Sequence, residues 1–333
     1  MGERHHVWEI DCEAMEWVER PRSRKHFLMG VGGAVVGAGL LGSLSACGDD
    51  SDDGGGGGGQ PGSGKTLALS LNGFNTYDQD TAEGVLKAMQ GTGYRLIGAE
   101  AAFDATKEVD SAAYDAALQL DTREGGKITI DFIAKDQGVT EGKILEITGL
   151  DAQPFSEGYK QGLRDALKAY PGLEVAASQQ GFYTADGAIK ALRPMLSANP
   201  DAKVIIDYAA EMGNAIAQEL ERRGRKDILH VTSDGNDAMI PWLKKDKGAY
   251  MKGDRWFSPA EQGIASVNIL RARLEKDEDP TNANVGLKGF TVMSGTRDPV
   301  VITTRQELAT AQNIDNLPLF GYQQFASKIP FGG

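Results

Sequence analysis

With 333 residues, 41% of them hydrophobic and 25% charged, the chain has the composition of a folded protein and room for two domains of ordinary size. A formal net charge of −12 argues against nucleic acid as a partner, because such a surface repels phosphate backbones. The cysteines are Cys12 and Cys47, and of the histidines only His230 falls in the part expected to fold, so a disulfide framework, a zinc site and a histidine-based triad are all disfavoured. No metal and no cofactor are expected.

Residues 1–19 contain more acid than base, which is unusual for an export leader and leaves Cys12 without a role. The basic cluster Arg20, Arg22, Arg24 and Lys25 then precedes the apolar run Phe27–Ala46, the pattern of an export signal. A membrane-spanning helix is the competing reading, but six glycines in twenty residues make a weak span. The run ends in Leu44-Ser45-Ala46-Cys47-Gly48, which looks like a bacterial lipobox and implies lipidation of Cys47. Ser23-Arg24-Lys25-His26-Phe27-Leu28 resembles the twin-arginine export motif, with lysine in place of the second arginine.

After Cys47, the stretch DDSDDGGGGGGQPGS is too polar and glycine-rich to bury apolar surface and reads as a flexible tether. Inside it, Gly59 to Thr66 matches the phosphate-loop pattern GxxxxGK[ST]. That loop works only between a buried strand and the start of a helix, whose amides hold the phosphate. Here a linker precedes it and the strand-like Leu67-Ala68-Leu69-Ser70-Leu71 follows, so it is expected to be inert.

From Lys65 onward short apolar runs alternate with helical periodicity, predicting an α/β fold on parallel sheets. Predicted strands are Leu67–Leu71, Tyr94–Gly98, Ile128–Ile133, Ile144–Thr148, Leu173–Ala177, Val204–Asp207, Ile228–Thr232 and Val300–Thr303. Predicted helices are Thr81–Met89, Ser156–Ala169, Thr184–Ser197, Met212–Arg223 and Pro259–Glu275, each with apolar residues three and four apart. Between Lys143 and about Gly253, strand and helix alternate with short connections, which predicts one doubly wound lobe.

In such sheets ligands bind beyond the carboxyl ends of the strands. Those ends read Thr148-Gly149-Leu150-Asp151, Ala177-Ser178-Gln179, Tyr208-Ala209-Ala210-Glu211-Met212 and Ser233-Asp234-Gly235. With GKILEITG, YPGLEVAASQ, NPDAKVII and Arg225-Lys226-Asp227-Ile228, they resemble the ribose-type periplasmic sugar-binding proteins, from about Leu67 to Thr303. The resemblance implies two doubly wound parallel-sheet lobes joined by three crossings and closing on a ligand by hinge motion. It also implies an exported, monomeric protein at the periplasmic or outer face of the cytoplasmic membrane. Such a protein captures a small polar ligand, most plausibly a sugar, and delivers it to the membrane permease of an ABC-type importer without chemistry of its own. A ligand-sensing receptor component and a carbohydrate-active hydrolase with two cleft carboxylates are the alternatives.

The implied division is 1–46 signal peptide, 47–64 linker, 65–142 with about 257–290 first lobe, 143–256 second lobe, and 291–333 hinge strand and tail. Between Asp110 and Lys143 the chain is shorter than the family pattern, by about one strand-helix-strand unit and a helix. The first lobe is therefore expected to be thinned and its sheet left with an open edge.

By position, the resemblance carries ligand contact over to Asn75 and Tyr77 in Asn72-Gly73-Phe74-Asn75-Thr76-Tyr77, to Asp121 and Arg123, to Phe182 and Tyr183, and to Asp234. The family's helix arginine falls near Tyr159, its strand-end Asn-Asp becomes Ala209-Ala210, and a cleft glutamine becomes Phe257, beside Trp256. The implied pocket is thus more aromatic than the family's, and Trp256 and Phe257 join the candidate set. Bland readings stay open for each residue: Asp234 as an ordinary turn residue, Phe182 and Tyr183 as lobe packing, Asp121 as a strand end, Arg123 as a solvated charge, Trp256 as core. Trp242 is expected in the core, and Lys244-Lys245-Asp246-Lys247 on a solvated face.

Overall fold

The computed structural model describes residues 7–11, 16–19, 66–71, 76–100, 116–151, 153–279, 281–287, 291–293, 300–303 and 305–317. The apolar run Phe27–Ala46, Cys47, the phosphate-loop match up to Lys65 and Asn75 lie outside them. Among the described residues no helix is long and apolar enough to cross a membrane.

The strands are β1 (Val7–Asp11), β2 (Glu16–Glu19), β3 (Thr66–Leu71), β4 (Arg95–Glu100), β5 (Ala116–Gln119), β6 (Glu141–Thr148), β7 (Gly172–Gln180), β8 (Val204–Asp207), β9 (Leu229–Ser233), β10 (Gly253–Trp256), β11 (Thr291–Met293), β12 (Val300–Thr303) and β13 (Glu307–Ala309). The helices are α1 (Thr76–Met89), α2 (Thr122–Asp131), α3 (Pro154–Leu167), α4 (Ala185–Ala198), α5 (Ala210–Arg223), α6 (Ile240–Lys244), α7 (Pro259–Lys276) and α8 (Asn282–Val285). As the alternation predicts, the chain is α/β. Its largest sheet has six strands in the order β13-β10-β9-β8-β6-β7, all parallel except β13, which lies antiparallel along β10.

The inner strands of that sheet, β8, β9 and β10, and the second half of β6 are buried on both faces, and β6 and β8 accordingly read as apolar runs, whereas the edge strand β7 is largely exposed. Val204, Ile205 and Ile206 of β8, and Ile144, Leu145 and Ile147 of β6, form one cluster with Leu192 and Met195 of α4 and Ile216 and Leu220 of α5. Helix starts are capped locally: Thr184 Oγ1 accepts from Gly187 N (3.0 Å) and Ser258 Oγ from Glu261 N (3.1 Å). Gly224 closes α5 in the left-handed conformation.

One predicted strand is corrected. Residues 128–133 are helical, lying at the end of α2 and in the π-turn Phe132–Asp136 that continues it. Ile128, Ile130 and Phe132 alternate as in a strand, but Gly126, Thr129, Ile130 and Ile133 lie at helical spacing and are buried, with Phe132 buried beside them. Asp121 supplies the start signal, its side chain accepting from Glu124 N (2.9 Å), and α2 packs along α3.

The four-stranded sheet has the order β2-β1-β4-β3. β3 and β4 are parallel, and β1 lies antiparallel on the other side of β4, pairing Val7 with Ala99 and Asp11 with Arg95. β4 is thus paired on both sides, by β3 on one and, on the other, by β1, which lies upstream of the apolar run. A three-stranded sheet, β11-β12-β5, completes the described architecture. α1 packs on α7 at a contact of small residues: a Cβ on Gly84 would lie 1.9 Å from Ala260 O, and one on Gly263 would lie 2.3 Å from Thr81 O.

Candidate functional site

The carboxyl ends of β6, β7, β9 and β10 converge, and three of the residues that leave them have strained backbone. Asp234 follows β9 at φ +78°, while Phe182 and Tyr183, after β7, sit at φ +57° and +56°. Bulky side chains rarely adopt this left-handed region, and such residues persist where surrounding structure fixes them, often at binding sites. Close packing fixes Tyr183: a Cβ on Gly149, at the end of β6, would lie 1.9 Å from the tyrosine Cζ, so only glycine fits. The Tyr183 hydroxyl lies 2.7 Å from Ser156 Oγ and donates to Gln153 Oε1, both at the start of α3. Burial pushes it up to about 12. Phe182 is 52% exposed, while Tyr183 is half-buried against the core.

At the centre lies Arg255, fully buried near the end of β10. Its guanidinium carbon sits 4.7 Å from the centroid of Tyr159, 5.2 Å from Phe257 and 5.3 Å from Phe155. Nη2 donates to Asp234 Oδ1 (3.2 Å) and to Ser233 Oγ, and Nη1 donates to Gln306 Oε1 (2.6 Å). Gln306 in turn donates from Nε2 to the Asp121 carbonyl (2.7 Å), so one side chain ties Arg255 to the segments preceding α2 and β13. The Tyr159 hydroxyl is paired with Thr129 Oγ1 (2.6 Å), which leaves its ring to face the guanidinium. Burial pushes the Asp234 carboxyl up to about 7, against the opposing pull of Arg255 and Ser233. Asp254 is likewise raised to about 7 by burial, and its Oδ1 accepts from Gly235 N (3.2 Å).

The floor beneath is polar and closed. His230 contacts Asp207 Oδ2 through Nε2 (2.7 Å), and its Nδ1 lies 2.9 Å from the Tyr250 carbonyl. Thr232 Oγ1 donates to Asp207 Oδ1 (2.8 Å). Because the Tyr250 carbonyl only accepts, Nδ1 carries a proton, and both ring nitrogens are engaged. Glu146, fully buried, accepts from Tyr208 Oη (2.7 Å) and pairs with Arg164.

The remaining sequence candidates fall as follows. Trp256 and Phe257 are buried, Phe257 against Arg255 and Trp256 beneath Arg305, 5.1 Å from its ring centroid. Asp121 caps α2 and its carbonyl accepts from Gln306. Arg123 is exposed and pairs with Asp165. Tyr77 lies in the first turn of α1, and Asn75 is outside the described residues. Trp242 is half-buried against the core and donates to Asn214 Oδ1 (2.7 Å). Among the described residues, no group of three or more His, Cys, Asp or Glu side chains is placed to hold a metal ion.

Sequence reasoning missed Arg255 and Gln306. Arg255 was within reach, since it lies two residues before Phe257 and so shares its side of an extended segment. Nothing in the sequence around Gln306 announces its part.

A family model described as a periplasmic binding protein domain matches residues 75–278. The ribose import binding protein of Salmonella typhimurium (strain LT2) is 30% identical over 112 residues, which is 33% of this chain and 37% of that protein. A solute-binding protein from Agrobacterium radiobacter, solved with D-arabinose, superposes with a TM-score of 0.63 at 18% identity, over 76% of this chain and 97% of that one. The binding protein of an arabinose ABC transporter from Shewanella sp. ANA-3 gives 0.64 at 16% identity, over 80% and 99%. At these identities the likeness to the solved structures is one of fold.

Proposed function

The chain belongs to the periplasmic binding protein domain family, and from that premise we propose that it is an exported, lipid-anchored solute-binding protein. It captures a small neutral sugar at the strand ends around Asp234 and delivers it to the permease of an ABC-type importer. The observation that carries the reading is that the chain leaves the carboxyl ends of two strands of a parallel sheet through left-handed residues, Phe182 and Tyr183 after β7 and Asp234 after β9, and that Asp234 is paired there with a buried guanidinium. Backbone strain of this kind costs stability and is retained where it aims side chains. A carboxylate, a guanidinium and aromatic faces are the groups that match sugar hydroxyls and the apolar faces of a sugar ring. The nearby imidazole has both nitrogens engaged, so His230 is not poised as a general base.

Calorimetric titration with D-ribose and D-arabinose tests the reading. Asp234→Ala removes both acceptors, at a cost on the order of 1–3 kcal/mol, and should weaken binding ten- to a hundredfold. Asp234→Asn keeps one acceptor and should lose less. Because alanine also strips Arg255 of its anion, thermal unfolding is measured in parallel, and a folded Asp234→Ala that binds like wild type refutes the site. For the anchor, Cys47→Ala should abolish lipid-dependent processing and membrane retention; unchanged retention refutes that part alone.

A further inference from the structure

We propose that Arg255 is a ligand-reading residue of the cleft. With Asp234 it forms a charge-neutral donor–acceptor pair that selects an uncharged sugar over the corresponding uronate. The inference rests on the sugar-binding reading above and names the residue and charge class behind its specificity.

A guanidinium has five N–H donors. Those of Arg255 reach Ser233, Asp234 and Gln306, and Nε has no hydrogen-bond partner among the described residues although the whole side chain is buried. Phe155, Tyr159 and Phe257 surround the guanidinium at cation–π distances. Stacking satisfies the weakly hydrated faces of a guanidinium, and its edge is what remains for hydrogen bonds. A buried donor without an acceptor is costly, and a ligand hydroxyl would supply one. The same hydroxyl can donate to Asp234, whose Oδ1 lies 3.2 Å from Nη2. At pH 8, where Asp234 is ionised, an incoming carboxylate would instead meet its anion in a site whose positive charge is already matched. Tyr159 stands near the position where the family resemblance expects an arginine, and its hydroxyl is turned to Thr129. The guanidinium here therefore comes from strand β10 and stacks on that ring.

The experiment is calorimetric titration of the full chain at pH 8 with D-ribose, D-arabinose, D-galactose and D-galacturonate. Wild type should bind its best neutral sugar at least a hundredfold more tightly than D-galacturonate. Arg255→Lys keeps the charge but loses the planar fork, and should weaken the neutral sugar at least tenfold. Asp234→Asn leaves the site net positive and should shrink the neutral-over-uronate ratio at least tenfold, a change that a purely structural arginine would not produce. If Arg255→Lys does not fold, Gln306→Leu loosens the guanidinium in its place and should weaken the neutral sugar three- to tenfold. Wild type binding no neutral sugar overturns both readings. Wild type binding with unchanged affinity in a folded Arg255→Lys or Gln306→Leu, or an unchanged ratio in Asp234→Asn, overturns the role of Arg255 alone.

Discussion

The six-stranded and four-stranded sheets are built in opposite ways from the same chain. In the six-stranded sheet, β6 to β10 follow one another within residues 141–256, helices return the chain between them, and the buried residues of strand and helix are sequence neighbours. In the four-stranded sheet of the full chain, the parallel pair β3 and β4 is extended by β1 and β2 from residues 7–19, which processing at Cys47 would remove, and α1 packs on α7 from far along the chain. One unit rests on local, repeated contacts, and the other on helix and strand pairings of long sequence separation, which must offset a larger loop-closure entropy. The comparison teaches that Asp234 and Arg255 stand on the locally built sheet, tied through Gln306 to the segments before α2 and β13, while the four-stranded sheet is the more easily perturbed of the two.

The strongest way to break that contrast is to attack the locally built sheet from inside. His230→Ala leaves Asp207 fully buried without its imidazole partner, and losing one member of such a pair costs about 3–5 kcal/mol. Native-state hydrogen exchange should show protection lost across β6 to β10, with β3 and β4 little changed. A loss below about 1 kcal/mol would mean that the pair contributes little. In wild type, the amides of β6, β8 and β9 should be better protected than those of β3 and β4; the reverse order would undo the comparison.

The converse change strikes the other unit. Gly84→Ala puts a Cβ on the Ala260 carbonyl and forces α1 from α7, an overpacking cost of about 1–3 kcal/mol. Exchange should accelerate in α1 and α7 and remain unaltered in β8 and β9. Uniform acceleration would show that the two units unfold together.

Titration sharpens the contrast further. Burial, followed by the nearby charges of Glu83, Asp237 and Glu211, pushes the Asp80 carboxyl of α1 up to about 8, and burial pushes Asp234 and Asp254 up to about 7. A raised carboxyl holds a proton in the native state that the unfolded chain releases, so stability falls as pH rises from about 4 to 8. Asp165, Asp201, Asp227 and Glu219 are lowered by lysine and arginine partners; their contribution stands above the ordinary carboxylate range and is lost only in stronger acid. The midpoint of thermal unfolding should therefore be at least roughly 2–4 °C higher at pH 5 than at pH 8. A midpoint that climbs steadily from pH 5 to pH 8 would contradict the burial of these acids.

The same contrast explains what was legible. The strands from Ile144 to Thr232 were readable because each is a short apolar run between turn signals, and Ser233-Asp234-Gly235 carries turn-favouring residues at the point where Asp234 takes the left-handed conformation. Phe182 and Tyr183 gave no such sign, since bulky residues do not advertise positive φ. Residues 128–133 fitted both periodicities, and the helix was decided by packing against α3. Arg255 stayed hidden because a charged residue in a strand reads as solvent-facing, when its charge is instead met by Asp234 and three rings. The hairpin on β4 could not be foreseen, because residues 1–19 read as part of a leader and its pairing partner lies about ninety residues away.

The smallest expected effect is none at all, at the phosphate-loop match. Lys65→Ala removes the residue that would hold a nucleotide phosphate if Gly59 to Thr66 were a working loop. Such a loop holds phosphate with the amides at the start of a helix, which the loop must enter directly. Here Thr66 is the first residue of β3, and that strand runs through Leu71 before α1 begins at Thr76. Strand amides from Thr66 onward pair with β4 in the register Thr66 to Arg95, so they are committed to a ladder and do not converge on an anion. Upstream, the sequence from Gly54 to Gly59 is an unbroken glycine run, without the apolar residues a bracing strand would need. Lys65→Ala should therefore leave sugar affinity and thermal midpoint unchanged, and neither the variant nor wild type should retain a fluorescent ATP analogue in the presence of magnesium. Saturable nucleotide binding by wild type that Lys65→Ala abolishes would overturn this assignment and make the tether a site in its own right.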